Sequence, residues 1–507
     1  MSPASFSYAD LLARQAVVHA GDLAFTGAFE PVTHETLHRR CRRLAAGWAK
    51  AGLAPGDRLA ILSGNRVELF EALGAAAMCG ATLVLLNTRA SAAEIAAVVE
   101  DAEPRWLLVD PALQVLAEAA GPAVPRVVLG RSEWQAWQVL KAGDAATLPA
   151  RPSVDAGAPL VGIPTAAVEG RPRVAMLSHA ALMHQALALA QAWHLGPADR
   201  HLGVLPMFHV AGLGLALAAQ LAGGATVLME RFDATSAVEA IERWKVGFFA
   251  TFAPILGSVL DAAQASGSTL ASLRAVTGLE SPDTVARLRS QCPDAVFWSG
   301  YGQTETAGLV CLSPATERPG SAGRPLPTVA LRIAGPDGRP AAAGESGEIH
   351  VRGPFVFSGY WRRPAASAQA VAEGWHRTGD LGRVDADGYL WFEGRAPDKA
   401  LIKSGGENIY PAEVEEALQA HPAIAAAVVF GVPDARWGEA VRAVCACRPG
   451  QQVEAEALAE FVAARIARFK RPRDIVFVDT LPRAPDGQWD RVAIAARHGA
   501  GPASSGQ

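Results

Sequence analysis

The feature that most narrows the fold is a helix-then-strand rhythm in the first two-thirds of the chain. Val67–Cys79 reads as a helix and leads into a wholly apolar strand at Ala81–Leu86. Ala92–Glu100 reads as the next helix and Trp106–Val109 as the next strand; Ala237–Trp244 leads likewise into Gly247–Thr251. Strands without a polar face are buried on both sides, which means parallel sheets covered by helices. Such sheets take their ligands in loops beyond the carboxyl ends of the strands. With half of its 507 residues apolar and 19% charged, the chain can fill several cores, and two to four domains are expected.

From about Gly320 the texture changes to short antiparallel strands, with Gly, Pro and Asp between GEIHVRG and Tyr389–Glu393. A smaller α+β unit follows Gly394-Arg395: helical at Glu413–Ala420 and Leu458–Ile466, extended at Ala426–Phe430 and Val441–Ala446. The expected fold class is therefore α/β. A large N-terminal region, residues 1–394, holds parallel and mixed sheets and a small barrel-like β subdomain at about 320–394. A hinge joins it to a mobile α+β domain, residues 395–498, and residues 499–507 read as a disordered tail. No internal repeat is visible.

Val210–Met229 is apolar and long enough to cross a bilayer. Gly223-Gly224 split it into an Ala/Leu-rich helical half and a β-prone half, so it reads as a buried helix feeding a buried strand. The N-terminus lacks an apolar signal core. A net charge of −4 without charge blocks marks neither a nucleic-acid partner nor a membrane surface. The six cysteines show no zinc spacing and no disulfide framework, so a reducing cytoplasm is expected, and no metal site.

Four stretches carry the chemistry: YGQTETAG (301–308), GWHRTGDLG (374–382), GRAPDKALIKSGGENIYPAEVE (394–415) and RFKRPRDIVFVDTLPR (468–483). In this order and spacing, with PMFHVAG (206–212) and GSAGRPLP (320–327), they resemble the adenylate-forming superfamily of acyl- and aryl-CoA synthetases. The resemblance covers nearly the whole chain. It implies an ATP-made acyl-adenylate, a swing of the small domain about a hinge, and displacement of AMP by a thiol.

Matched residue by residue, the resemblance departs at four places. The family's phosphate loop is rich in Ser, Thr and Gly and ends in lysine. Here it reads Thr165-Ala166-Ala167-Val168-Glu169-Gly170-Arg171-Pro172-Arg173. Hydroxyls are lost, and Glu169 sets a negative charge against polyphosphate, about 4 kcal/mol for unit charges ~4 Å apart at an effective dielectric of 20. Gly170 and the basic Arg173 remain, which a tolerated variant would also show. Leu279 and Glu280 place bulk and charge where the family lays a Gly-Gly-Ala-type turn against adenine. Gln488 stands where the resemblance implies the adenylation lysine. Pro397 stands at the hinge, where a fixed φ hinders a large backbone rotation.

Other positions match. The resemblance implies residual nucleotide contacts at Tyr301, Thr304, Glu305, Asp380 and Arg395, as working ligands or as remnants that hold the fold. It implies a coenzyme A clamp of Trp437, Phe469, Arg471 and Arg473, an aromatic pair for the base and two cations for phosphates. Ser404, Gly405, Gly406 and Glu407 match the turn beside the thiol channel, and His209 matches an acyl-pocket residue that orients the carbonyl or assists the thiol.

Damaged ATP chemistry beside an intact thioester site gives the leading expectation: ATP-independent transfer of an acyl or aryl group between coenzyme A and another thiol. The acceptor would be carrier-protein phosphopantetheine, with ATP and Mg2+ doubtful as co-substrates. The alternatives are an ATP-dependent acyl- or aryl-CoA ligase, and a catalytically silent acyl-CoA-binding protein.

Overall fold

The computed structural model describes residues 6–121, 123–138, 154–168, 171–335, 338–395, 401–434, 436–484 and 489–499. Glu169, Gly170, Pro397 and Gln488 lie outside them, as does nearly all of the tail. Only the backbone of Ala166, Ala167 and Val168 is described.

The expected α/β architecture is present as four sheets. A six-stranded sheet runs in the order Arg126–Val128, Leu107–Val109, Arg58–Leu62, Thr82–Leu85, Pro159–Val168 and Arg171–Ser178, parallel except for the last pair. A nine-stranded sheet has a parallel centre built from Leu23–Gly27, Ala225–Leu228, Arg200–Gly203, Phe248–Phe252, Ala275–Leu279 and Val296–Gln303. Helices Val67–Cys79 and Val210–Leu221 are buried along nearly their whole length and share one apolar core with both sheets. The apolar stretch from Val210 is thus a helix followed by the buried strand Ala225–Leu228. No described helix is long and apolar enough to cross a membrane.

A third sheet is antiparallel and contains Ala330–Ala334, Gly347–Arg352, Trp375–Val384 and Leu390–Arg395. The fourth lies wholly within residues 402–478 and is centred on the long pair Ile424–Asp434 and Gly438–Cys447. Residues of this region fill one further core by themselves and a second together with Leu481 and Ile494. All six cysteines are free thiols.

One local difference from the sequence reading bears on the site. Thr165–Arg173, read as a loop, sits at the tip of an antiparallel hairpin, with Thr165 opposite Arg173 and Val168 opposite Arg171. Thr and Val favour the pleated ladder, so it runs further toward the tip than a Gly-rich loop would allow.

Candidate active site

The loops that follow the carboxyl ends of the parallel strands converge on one cleft of about 1760 Å³. Leu86–Arg89 follows Thr82–Leu85, Phe252-Ala253 closes Phe248–Phe252, and Leu279-Glu280 ends Ala275–Leu279. Gln303–Glu305 follows Val296–Gln303, and residues of the 402–478 region form the opposite wall. Sequence positions more than 300 residues apart meet here.

Asp380 is the hub of one end. It is 3% exposed and accepts from the Tyr301 hydroxyl at 2.7 Å, Gln303 Nε2 at 2.5 Å and Arg395 Nε at 2.6 Å. Burial, reinforced by the Asp380 charge, pushes the Tyr301 phenol well above its ordinary value, so it stays a donor. Arg395 also reaches the Tyr410 hydroxyl at 3.4 Å. Beside this hub, Glu305 accepts from the Tyr360 hydroxyl at 2.7 Å, and Thr304 opens the short helical turn that carries it. The Arg173 guanidinium lies 5.7 Å over the Tyr360 ring, while Thr165 Oγ1 donates to the Arg173 carbonyl at 3.0 Å. Four of the five expected nucleotide residues therefore stand in hydrogen-bonded order, and Arg173 is brought next to them.

Leu279 and Glu280 do line the cleft, but the Glu280 charge is engaged elsewhere. Its carboxylate accepts from Thr251 Oγ1 at 2.6 Å and from the Leu256 backbone N–H at 3.4 Å, at the start of helix Ile255–Ser266. Burial raises its pKa, against the lowering pull of the Thr251 and Leu256 hydrogen bonds.

The other end is built around Glu407, 4% exposed. Ile402–Ser404 and Glu407–Ile409 form a hairpin whose two turn residues, Gly405 and Gly406, have φ of 57° and 83°. Both angles are the left-handed values that two-residue hairpins favour and that glycine alone adopts without strain. A Cβ at Gly405 would lie 2.8 Å from the Trp437 ring, and one at Gly406 would lie 3.0 Å from Phe252 of the nine-stranded sheet. This tight seat holds Glu407 toward Asn87 Nδ2 at 3.1 Å, Arg89 at 2.9 Å and His209 Nε2 at 3.4 Å. Burial alone would raise the Glu407 pKa, yet His209, Arg89 and Asn87 outweigh it and hold it at about 2. His209 precedes helix Val210–Leu221 and stays partly exposed to the cleft.

Of the expected clamp, Trp437 and Phe469 both line the cleft, and Phe469, Arg471 and Arg473 border a smaller pocket beside it. Arg473 lies 5.0 Å over the Trp437 ring, on which Arg436, not singled out in the sequence, also packs at 4.8 Å. Arg471 is ion-paired with Glu460, which Arg468 shares. Two further features went unread in the sequence. Asn87 and Arg89 follow an ordinary buried strand, and Lys470, 8% exposed, is paired with both Glu413 and Glu94. Glu94 belongs to helix Ala92–Ala102, so this buried cation ties the 402–478 region to the six-stranded half.

Glu305 is the described carboxylate that fits a Mg2+ held jointly with a triphosphate, because that ion commonly takes one or two carboxylates plus substrate phosphates. No described group of three His, Cys, Asp or Glu could hold a metal on its own.

Comparison with known proteins agrees with this geometry. The AMP-binding enzyme family matches residues 12–361, and the AMP-binding enzyme C-terminal domain matches residues 413–488. The chain is 35% identical to an indoleacetate–CoA ligase of Aromatoleum aromaticum over 490 residues, covering 94% of this chain and 95% of that protein. It is 36% identical to a feruloyl-CoA synthase of an Amycolatopsis species, covering 92% and 94%. A solved double mutant of the o-succinylbenzoate CoA synthetase of Bacillus subtilis, bound to a product analogue, superposes with a TM-score of 0.84 at 28% identity, covering 96% of this chain and 98% of that one. These relatives overturn ATP-independent thioester transfer as the leading expectation and favour the ligase alternative. The sequence reading weighed departures at four places, the phosphate loop, Leu279-Glu280, Pro397 and Gln488, whereas the likeness to ligases and synthases extends over nine-tenths of both chains. By family match and by relatives alike, the chain belongs to the AMP-binding enzymes, the adenylate-forming superfamily that its motifs resemble.

Proposed function

We propose that the protein is an ATP-dependent acyl- or aryl-CoA ligase whose acid is an aromatic or arylalkanoic carboxylate. The observation that carries this reading is the single cleft joining the Tyr301–Asp380–Arg395 cluster to the Gly405-Gly406 turn and the Glu407–His209 pair. A nucleotide ribose and phosphates would take the first end, with Asp380 and Arg395 re-partnering from each other to the ligand. The variant hairpin tip would serve the triphosphate through Thr165, Arg173 and its backbone amides. Mg2+ at Glu305 would offset phosphate charge when bound.

In the first half-reaction the carboxylate attacks the α-phosphorus of ATP, forming an acyl-adenylate and releasing pyrophosphate. In the second, a thiolate adds to the acyl carbonyl and AMP leaves. The arrangement described above suits this second step. The Gly405-Gly406 turn packs against Trp437 and Phe252 and, without side chains of its own, would let a pantetheine arm pass close to its backbone. Coenzyme A would stack its base on the Trp437 side and set its phosphates on Arg473 and Arg471. His209, held by Glu407, would take the thiol proton or orient the carbonyl. We place the hinge between residues 394 and 401, with the regions on either side acting as separate bodies.

The test is an acid panel run with ATP, Mg2+ and coenzyme A. AMP and pyrophosphate released in step with acyl-CoA supports the reading. Acyl exchange from acyl-CoA that proceeds equally without ATP, with no pyrophosphate from any acid, would overturn it.

A further inference from the structure

Against the wall of the cleft lies a buried polar group that the ligase chemistry leaves unused. Gln185, on helix His179–Ala192, is 2% exposed and lines the cleft. Its Nε2 is enclosed and has no hydrogen-bond partner among the described residues. The other two buried glutamines each hold at least one hydrogen bond, although Gln220 Nε2 also lacks a partner among the described residues. Gln15 donates to the carbonyls of Gln220 and Leu221, and Gln220 accepts from the Tyr8 hydroxyl. Neither lines the cleft. Apolar residues of the cleft lining include Leu189, one turn further along its helix, Leu309, next to Gly308, and Leu215 and Val204. Gly308, with φ of 130°, lets the amide approach; a Cβ there would lie 3.3 Å from the Gln185 side chain.

An amide buried without a partner costs stability, so a chain that keeps one beside a cavity is prepared to satisfy it with a ligand. Its depth identifies which part of the ligand that is. His209, beside the reacting carbonyl in the proposed function, has a side chain 32% exposed, whereas Gln185 is all but enclosed. Helix Val210–Leu221, against which helix His179–Ala192 packs, starts beside His209 and puts Val210, Ala211, Gly214 and Leu215 on the cleft. At about 1.5 Å per residue, Leu215 lies roughly 9 Å further along it, the length of an aryl group with a short linker.

We propose that Gln185 is a specificity-determining residue that selects acids bearing a hydroxyl at the end of the acyl group remote from the carboxylate. A hydroxyl can donate to the amide oxygen or accept from its nitrogen, so it fits either orientation of the group. The inference rests on the ligase reading for the direction in which the acid lies.

Cinnamate against 4-hydroxycinnamate, and phenylacetate against 4-hydroxyphenylacetate, are the probes. Wild-type enzyme should prefer the hydroxylated member of at least one pair by tenfold or more in kcat/KM. In Gln185→Leu and the longer Gln185→Met that ratio should fall toward one. A wild-type ratio near one in both pairs, or a preference that survives in both variants, overturns the proposal. Should no acid release pyrophosphate, the ligase reading fails separately, and the same pairs are read by the rise in melting temperature they cause. A larger rise with the hydroxylated acid that Gln185→Leu and Gln185→Met abolish still supports the assignment, and equal rises sink it.

Discussion

At the scale of single residues, Glu407 is the side chain on which most depends. Its charge is held by Asn87, Arg89 and His209, three groups from the far side of the cleft. Glu407→Gln keeps the shape but removes the anion, so His209 loses the partner that orients it. Acyl-CoA formation from a preformed adenylate should fall about tenfold to a hundredfold, the scale of a lost charge-assisted contact, while acid-dependent pyrophosphate exchange changes by less than threefold. Equal losses in both half-reactions would assign Glu407 to the adenylation machinery instead. The sequence made Glu407 legible because it follows a Gly-Gly turn, but not its partners. Asn87 lies 320 residues away and has no local signature of its own. Glu280 shows the reverse error: its charge was visible, and the Thr251 hydroxyl and helix start that engage it were not. Gln185 was invisible for the same reason, since only packing reveals that an amide lacks a partner.

Among elements, the hairpin Ile402–Ser404/Glu407–Ile409 separates folding from docking. Its two glycines share positive φ, so alanine at either adds backbone strain on the order of 1–3 kcal/mol. Their neighbours differ. A methyl at Gly405 meets Trp437 of the same region, and one at Gly406 meets Phe252 of the nine-stranded sheet. Gly405→Ala should therefore lower the melting temperature of the isolated 402–478 transition, if resolved, together with thioester formation. Gly406→Ala should suppress thioester formation with a smaller stability loss, because its clash exists only when the two bodies are docked. Calorimetry beside single-turnover kinetics would read the contrast, and identical effects would refute it. The helices Val67–Cys79 and Ala92–Ala102 were readable because apolar periodicity is a local signal, whereas this hairpin was read only as a turn, through the family resemblance. At Thr165–Arg173 motif matching looked only for a loop, and the strand pairing that reaches Val168 and Arg171 was not read.

Taken whole, the molecule buries five of its described histidines, and two of them, His179 and His201, contribute to its response to acid. His179 accepts from the Tyr8 backbone N–H at 3.3 Å, and His201 is stacked 5.3 Å from Phe248. Burial lowers their pKa values to about 4 and about 3. In the unfolded chain both titrate near 6.5, so between those values and 6.5 the unfolded state binds protons that the folded state refuses. Stability should thus fall as pH drops below 6.5, and Glu407, held at about 2, adds to the loss below its ordinary 4.5. The raised carboxyls of Glu71, Glu280 and Glu413 act in the opposite sense over part of this range, so the histidine share is read by comparison: urea midpoints from pH 7.5 to 4.5 should decline less in His179→Gln and His201→Phe than in the wild type, and equal declines would contradict it. The link between the bodies behaves differently. Lys470 sits between Glu94 and Glu413 with only 8% of its surface open, out of reach of mobile ions, whereas Arg473 on the proposed phosphate path is exposed. Debye screening, about 10 Å at 0.1 M salt, acts on the second and spares the first. Raising ionic strength should increase the KM for coenzyme A and leave turnover at saturating coenzyme A almost untouched: salt would loosen the grip on the ligand without loosening the joint.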